Sequence, residues 1–506
     1  MSSFVTDKNK IARNTFVLYF RMAFTMVVSF FTTRITLEVL GSEDYGLNNL
    51  VGGVVAMFSF INGSMGTAVQ RFYSIAIGEN NIGKLKKVFG CGVYLHLIVA
   101  IITLLLAELF AFFFLHKLSI PTDRLDAAQV VFQLAMISMV LNIVNVPYTA
   151  LLRAREEFSI IAFADIATAV LRLIVLYLLI KFDYDKLILF AIFNFAISLF
   201  YVIFLTIKAR KYTETHTSIC RDKSLIKEMT SFVSLLIFTV LAQVLRDNGL
   251  TVIVNLFFGL ALNAAFAVAT QVSHLVSTFV MNFKQALVPQ LMSAWGAGDK
   301  LVVHTLINFG TKITFILMLM ISIPLIFESE FILEIWLNTP PTHAGTLVSL
   351  AVISINISSF TYFLYQAVHA TGKIKSQQIT ISLLYFLNIV AIYISYKLGT
   401  NFYFAYYITI IVSIAQCVAN IYFAKKYIDL SVATFLRTNV IRCIFAAILI
   451  ICIPIIFVNT MDVGWTRVIC LSIVEVILSL IIGYIIVLDK SERLKIKKIL
   501  MGFIKR

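Results

Sequence analysis

The chain has 506 residues, 60% of them hydrophobic and only 13% charged, with a mean hydropathy of +0.94 and a formal net charge of +15. Soluble domains carry about a quarter charged residues and just under half apolar ones, so the surplus apolar surface must face lipid and a soluble protein is excluded. Open sheets are not tolerated in hydrocarbon, and the apolar runs reach the ~20 residues of a spanning helix without the alternation of a barrel strand. The composition therefore predicts an all-α polytopic membrane protein.

Residues 1–13 are polar and lack a cleavage-site pattern, so the apolar stretch that follows is expected to be retained as a first span. Fourteen transmembrane helices are predicted, at 14–37, 47–70, 88–115, 127–150, 158–180, 187–207, 231–256, 262–289, 303–327, 346–369, 377–396, 402–424, 438–458 and 466–488. The longest connections, 208–230 and 328–345, are too short for a large extramembrane domain. With a cytoplasmic N-terminus, most of the 41 Lys and Arg fall in cytoplasmic loops and tails, and both termini are cytoplasmic. The clusters Lys84, Lys86, Lys87, then Lys208, Arg210, Lys211, then Lys495, Lys497, Lys498 read as topogenic signals and contacts with anionic membrane lipids, not as a nucleic-acid site. The six cysteines include no CxxC pair and read as small core residues.

The chain repeats. A shift of 218 carries Gly41 onto Gly259 and Gly78 onto Gly296, and with them the first two helices onto the seventh and eighth. At a shift of 217, Ala150–Ser159 falls on Ala367–Ser376. Six helices per repeat is an even number, so the halves share one orientation and are expected to be related by a pseudo-two-fold along the membrane normal. The predicted organisation is an N-lobe at 1–207, a cytoplasmic linker at 208–230, a C-lobe at 231–424, and two extra helices with a basic cytoplasmic tail at 425–506. Two such lobes suit alternating access better than a pore.

Polar residues inside the spans are the functional candidates, because charge in the bilayer is costly. In the first span Asn14, Arg21, Thr25 and Thr32 lie within ~40° of one another on the helical wheel. The repeat carries this face to Thr239, Gln243 and Arg246. In the eighth span Gln271, His274, Thr278, Asn282 and Gln285 fall within ~80°. The fifth span carries Asp165, Thr168 and Arg172 on one face. Arg21, Arg246, Arg172, Gln243, Gln271, His274 and Asn282 are the candidate substrate-binding residues, and Asp165 and Asp247 the candidate ion-coupling acids. The competing readings are structural. Amides and hydroxyls in spans also serve as interhelical glue, and Asp165 with Arg172 also suits an ion pair. Asp247 follows Arg246 directly and neutralises it in part. Arg34, Lys284 and Arg442 lie near helix ends and can snorkel, and Tyr362 and Tyr365 are available to stack on sugars.

The guanidinium fork suits phosphate or diphosphate, whereas a site for cationic drugs needs buried acids. The first span has none; Glu38 stands at its outer end. There is no Gly-rich phosphate loop, no metal-ligand spacing and no nucleophile–base pair, so no cofactor, metal or enzymatic activity is expected.

These residues carry a resemblance. Arg13-Asn-Thr, Leu40-Gly-Ser-Glu-Asp-Tyr-Gly46, Pro147-Tyr-Thr-Ala-Leu-Leu-Arg-Ala-Arg-Glu-Glu-Phe158 and Ala370-Thr-Gly-Lys373 resemble segments of Wzx-type polysaccharide flippases, in the multidrug/oligosaccharidyl-lipid/polysaccharide (MOP) exporter superfamily. The resemblance implies transfer of an undecaprenyl-pyrophosphate-linked oligosaccharide (for O-antigen, capsule or exopolysaccharide) from the inner to the outer leaflet of the bacterial cytoplasmic membrane. It also implies a cationic cavity in which Arg21 and Arg246 receive the diphosphate, and polysaccharide polymerase and chain-length proteins as pathway partners. The alternative within the superfamily is a cation-coupled multidrug exporter.

Overall fold

The computed structural model describes residues 8–114, 124–182, 184–217, 220, 222–337 and 339–494. The basic tail cluster Lys495, Lys497 and Lys498 lies outside the described residues, as does the side chain of Arg34. The described residues are mostly helical and contain no strand.

In chain order the helices are α1 (Lys8–Gly78), α2 (Ile82–Phe114), α3 (Leu125–Ala154), α4 (Phe158–Leu179), α5 (Lys186–Ala209), α6 (Lys223–Gly296), α7 (Lys300–Phe327), α8 (Ser329–Leu337), α9 (Ala344–Phe360), α10 (Tyr362–Thr371), α11 (Lys375–Lys397) and α12 (Phe404–Ile428). The last segment holds α13 (Val432–Phe435), a π turn at Leu436–Val440, α14 (Ile441–Thr460), and α15 (Trp465–Ile482) closing on a π turn at Gly483–Val487. Twelve helices among the described residues are long and apolar enough to cross a membrane. The first two predicted spans, 14–37 and 47–70, fall within the two arms of α1, which are not among the twelve.

Both long helices, α1 and α6, break at a glycine. Gly41 (φ 78°, ψ 170°) and Gly259 (φ 79°, ψ −173°) are the non-helical residues inside them. That backbone region is essentially closed to residues with a Cβ, so each glycine fixes the kink between two helical arms. The breaks stand 218 residues apart, the repeat spacing read from the sequence, and the register persists beyond them. Asn81 accepts the Lys84 N–H at 2.9 Å where α2 begins, and Asp299 accepts the Val302 N–H at 3.0 Å where α7 begins. Capping side chains at equivalent positions start equivalent helices.

Two compact units emerge, Arg13–Ile237 and Phe238–Arg506 with the first dozen residues. The division falls inside α6, not in the 208–230 connection, and α13–α15 belong to the second unit. In the first unit, α3 packs along α2 and α5 around Phe132, Met136 and Ile143. Arg124, at the start of α3, bridges Asp44 of α1 (2.7 Å) and Asp185 at the start of α5. In the second unit α9 packs on α7 and α12. A Cβ on Gly310 of α7 would stand 2.6 Å from the Phe363 ring of α10, so only glycine allows that approach. The outward rows of the helices remain apolar: Leu105 and Leu109 on α2, Ile411 and Val418 on α12, and Ile477 and Ile481 on α15 are exposed. This is the lipid-facing surface required by the composition.

The extra helix pair is held to α7 by charge at both ends. Glu328, at the end of α7, meets Arg467 of α15 with Nε–Oε1 at 2.7 Å and Nη2–Oε2 at 2.8 Å. At the other end, the buried Lys312 of α7 donates to Asp489 (2.6 Å) and Glu492 (2.9 Å), and Arg442 of α14 also holds Asp489.

Candidate functional site: a polar cavity in the second unit

Within the Phe238–Arg506 unit lies a cavity of about 250 Å³ whose walls come from four helices. The first arm of α6 supplies Gln243, Arg246, Asp247 and Leu250, and the second arm Thr270, Ser273, His274 and Ser277. From α9 come Ser354, Ile355, Ser358 and Ser359, from α11 Tyr385 and Asn388, and from α12 Tyr406, Thr409, Ser413 and Gln416. Ligand pockets are usually lined mostly by apolar groups with a few polar ones. Here hydroxyls and amides dominate, in the midst of membrane spans.

The wall is tied together by its own polar groups. Ser354 and Ser413 share a hydrogen bond of 3.1 Å between α9 and α12. The Asn388 amide donates to Thr409 Oγ1 at 3.2 Å. Such bonds fix hydroxyls that would otherwise rotate, so the lining is a pre-set array of donors and acceptors.

Its two charges cancel. Arg246 Nε and Nη2 both donate to Asp247 Oδ1, at 2.9 and 2.7 Å, and the guanidinium lies 4.5 Å from the centre of the Tyr385 ring. The partial neutralisation read from adjacent positions is thus a two-nitrogen contact, backed by an aromatic face.

The other candidates are distributed. Gln243 and His274 line the cavity with Arg246 and Asp247; Gln271 is exposed and is not among its lining residues. Asn282 is buried and donates to the Thr278 carbonyl of its own helix at 3.1 Å. Thr239 turns instead into a buried network on α11, bonding Gln378 and accepting from Ser382 at 3.1 Å. Tyr365 accepts from Gln378 Nε2 at 3.0 Å in the same network.

In the first unit, Arg21 of α1 reaches Asp165 of α4 at 2.8 Å. The sequence paired Asp165 with Arg172 as one option; Arg172 is exposed and meets no acid among the described residues. Thr25 and Thr32 return their hydroxyls to the carbonyls of Arg21 and Val28 on their own helix, so the α1 stripe offers fewer free donors than its periodicity suggested.

Lys284 differs most from its sequence reading. It does not snorkel: it is 3% exposed, donates to Ser359 Oγ at 3.1 Å and lies 4.7 Å from the Tyr362 ring centre. Sequence reasoning also missed Tyr385, Tyr406 and the serines of α9. Their signal was present as Ser354/Ser358 and Thr409/Ser413 at helical spacing, but serine and threonine in a span read equally well as packing residues.

With this geometry in place, the comparisons with known proteins define the fold. The chain has the fold of MATE transporters of the MOP superfamily. A MATE structure in the bent conformation superposes with a TM-score of 0.71 at 13% identity, covering 85% of this chain and 97% of that one. A MOP-superfamily transporter from Pyrococcus furiosus, described as having a binding pocket of reverse polarity that suggests a different function, gives 0.66 at 12% identity, covering 83% and 95%. A Vibrio cholerae MATE transporter gives 0.63 at 18% identity over 85% and 97%. The MatE family model matches residues 18–178, a stretch inside the first unit. No curated protein matches the sequence.

Proposed function

We propose that this protein is a flippase for a lipid-linked oligosaccharide, moving the headgroup through the membrane by alternating exposure of a polar cavity to the two faces of the bacterial cytoplasmic membrane, its termini on the cytoplasmic side. The observation that carries this reading is the wall chemistry of the cavity. It combines many hydroxyls and amides, two tyrosine side chains and a charge pair that sums to zero. A polyhydroxylated headgroup matches such a wall through many hydrogen bonds of alternating sense and through stacking on aromatic rings. Gln243, His274 and Asn388 are the proposed sugar contacts, with Tyr385, one face of which carries Arg246, beside them. The polyprenyl tail remains in lipid against the apolar outer rows.

The fold neighbours favour a second reading, a multidrug exporter. A lipophilic cation needs an unpaired carboxylate within an apolar pocket, whereas Asp247 is taken up by Arg246.

The test is the leaflet location of the lipid-linked oligosaccharide in a deletion strain. Inner-leaflet accumulation that the wild-type gene cures, and that Tyr385→Ala with Asn388→Ala does not, supports the reading. An unchanged leaflet distribution together with new sensitivity to cationic drugs would replace it by the exporter.

A further inference from the structure

We propose that Glu475 of α15 is a proton-binding site, its carboxyl held as the neutral acid between the extra helix pair and α7. The buried row of α15 is Arg467, Leu471, Glu475 and Ser479, continued by Gly483 and Val487 in the π turn. Glu475 is 1% exposed and stands in the middle of that row, well inside the span. Ser479 Oγ, one turn on, donates to Oε1 at 2.9 Å. The other oxygen, Oε2, is buried and has no hydrogen-bond partner among the described residues.

No cation compensates this acid. Two contacts fix the stretch of α7 opposite it: Arg467 meets Glu328, and a Cβ on Gly483 would stand 2.7 Å from Ile316 Cδ1. The part of α7 that passes Glu475 therefore lies between Ile316 and Glu328. No residue there is ionisable, and Leu319 and Ile323 are buried against Ile450 of α14. Arg467 is two turns away on α15 and committed to Glu328. At the other end of α7, Lys312 is committed to Asp489 and Glu492, and Arg442 of α14 to Asp489. The remaining titratable groups of these elements bring no charge to it. His304, near the start of α7, bonds the Ile428 carbonyl, and Tyr484 of the π turn stands against Arg493. Cys443, Cys452 and Cys470 are free thiols.

A second, independent feature of the surroundings points to a proton. Pro324 of α7 and Pro454 of α14 are buried within their helices. A proline has no N–H, so the carbonyls of Met320 and Ile450, four residues earlier, lose their helical donor. The two helices thus add spare acceptors to an apolar interface. A carboxylate only accepts, whereas a carboxylic acid carries an O–H that donates. An unpaired carboxylate in the bilayer is costly, and a proton removes both the charge and the excess of acceptors. When α15 parts from α7 and water reaches Oε2, the carboxyl passes its proton to a water molecule; on closure it takes one back. The extra pair, outside the two-lobe repeat, in this way carries a proton site of its own.

The test uses the purified full-length protein in phosphatidylcholine nanodiscs and two carbodiimides. The lipid-soluble reagent, dicyclohexylcarbodiimide, reaches buried carboxylic acids: the O–H adds across an N=C bond and the adduct rearranges to a stable N-acylurea, with no leaving group. Peptide mass spectrometry is expected to find this adduct on Glu475 and not on Glu328 or Glu492, which are buried but ion-paired. A water-soluble carbodiimide should leave Glu475 unmodified. These readouts need no variant. Infrared spectroscopy is expected to show a carboxylic-acid C=O band that shifts in heavy water and is lost in Glu475→Gln. That substitution keeps the shape of the neutral acid, so the variant should stay monodisperse and unfold at the wild-type temperature. No adduct on Glu475, equal labelling by both reagents, an infrared spectrum unchanged by Glu475→Gln, or a band that heavy water does not shift overturns the proposal.

Discussion

The neutral charge pair in the cavity wall makes a prediction about ligand charge. Arg246 and Asp247 are in contact at 2.7 Å, with side chains 22% and 37% exposed. Arg246→Gln leaves the Asp247 carboxylate unbalanced, and Asp247→Asn leaves the guanidinium unbalanced. A unit charge acting on a ligand charge ~6 Å away through an effective dielectric constant of ~20 contributes about 3 kcal/mol. The partial exposure of both groups admits water, and halving that value for screening leaves about 1.5 kcal/mol, or about tenfold in affinity. Arg246→Gln is therefore expected to bind tetraphenylphosphonium about tenfold more tightly than the wild type, and Asp247→Asn to bind it more weakly. Equilibrium binding to the purified variants in nanodiscs, at low and high salt, measures this. Salt should reduce the difference without reversing it. If the two substitutions leave cation binding unchanged, or shift it in the same direction, the pair does not set the charge preference of the cavity and the argument from a neutral cavity wall falls.

Three further outcomes concern the framework. Arg467→Met strands the buried Glu328 carboxylate (side chain 0% exposed) and should cost about 3–5 kcal/mol, read as a large drop in thermal unfolding temperature in detergent; Arg467→Met with Glu328→Gln should recover much of it, and equal losses would show that charge burial is not the cause. Gly259→Ala should destabilise by about 1–3 kcal/mol because φ there is +79°, whereas Gly249→Ala, in regular helix with Ile389 Cδ1 at 3.5 Å from the new Cβ, should be neutral or slightly stabilising. Asp489 is pulled up by burial but held below its ordinary 3.8 overall by hydrogen bonds and charge from Lys312 and Arg442. A carboxyl lowered by folding stabilises above its unfolded value and loses that contribution as pH falls through its folded value. The difference in unfolding temperature between wild type and Asp489→Asn should accordingly be largest above about pH 4 and shrink below it; a difference that grows with acid would refute the assignment.

Much of this molecule could be read from its sequence because a bilayer leaves few choices. Apolar runs of spanning length must be helical, since nothing else satisfies their backbone in hydrocarbon. Gly41 and Gly259 marked the repeat in the sequence, whereas the break that each makes in its helix was seen only in the backbone, in a region that only glycine readily occupies. The partial neutralisation of Arg246 by its neighbour was likewise local enough to read along the chain. Polar partners across helices were not. Periodicity gives the side of its own helix on which a side chain lies, but not the neighbour that side meets. Only the tertiary structure could decide that Arg21 meets Asp165, that Gln271 stands apart from the wall His274 joins, and that Thr239 turns to Gln378. It also decided that Lys284, near a helix end and free by sequence to reach the interface, is enclosed by Ser359 and Tyr362. The physical reason is that spanning is fixed by local backbone satisfaction, while a binding site is built from contacts between residues far apart in sequence, whose identity depends on how each helix is rotated against the next.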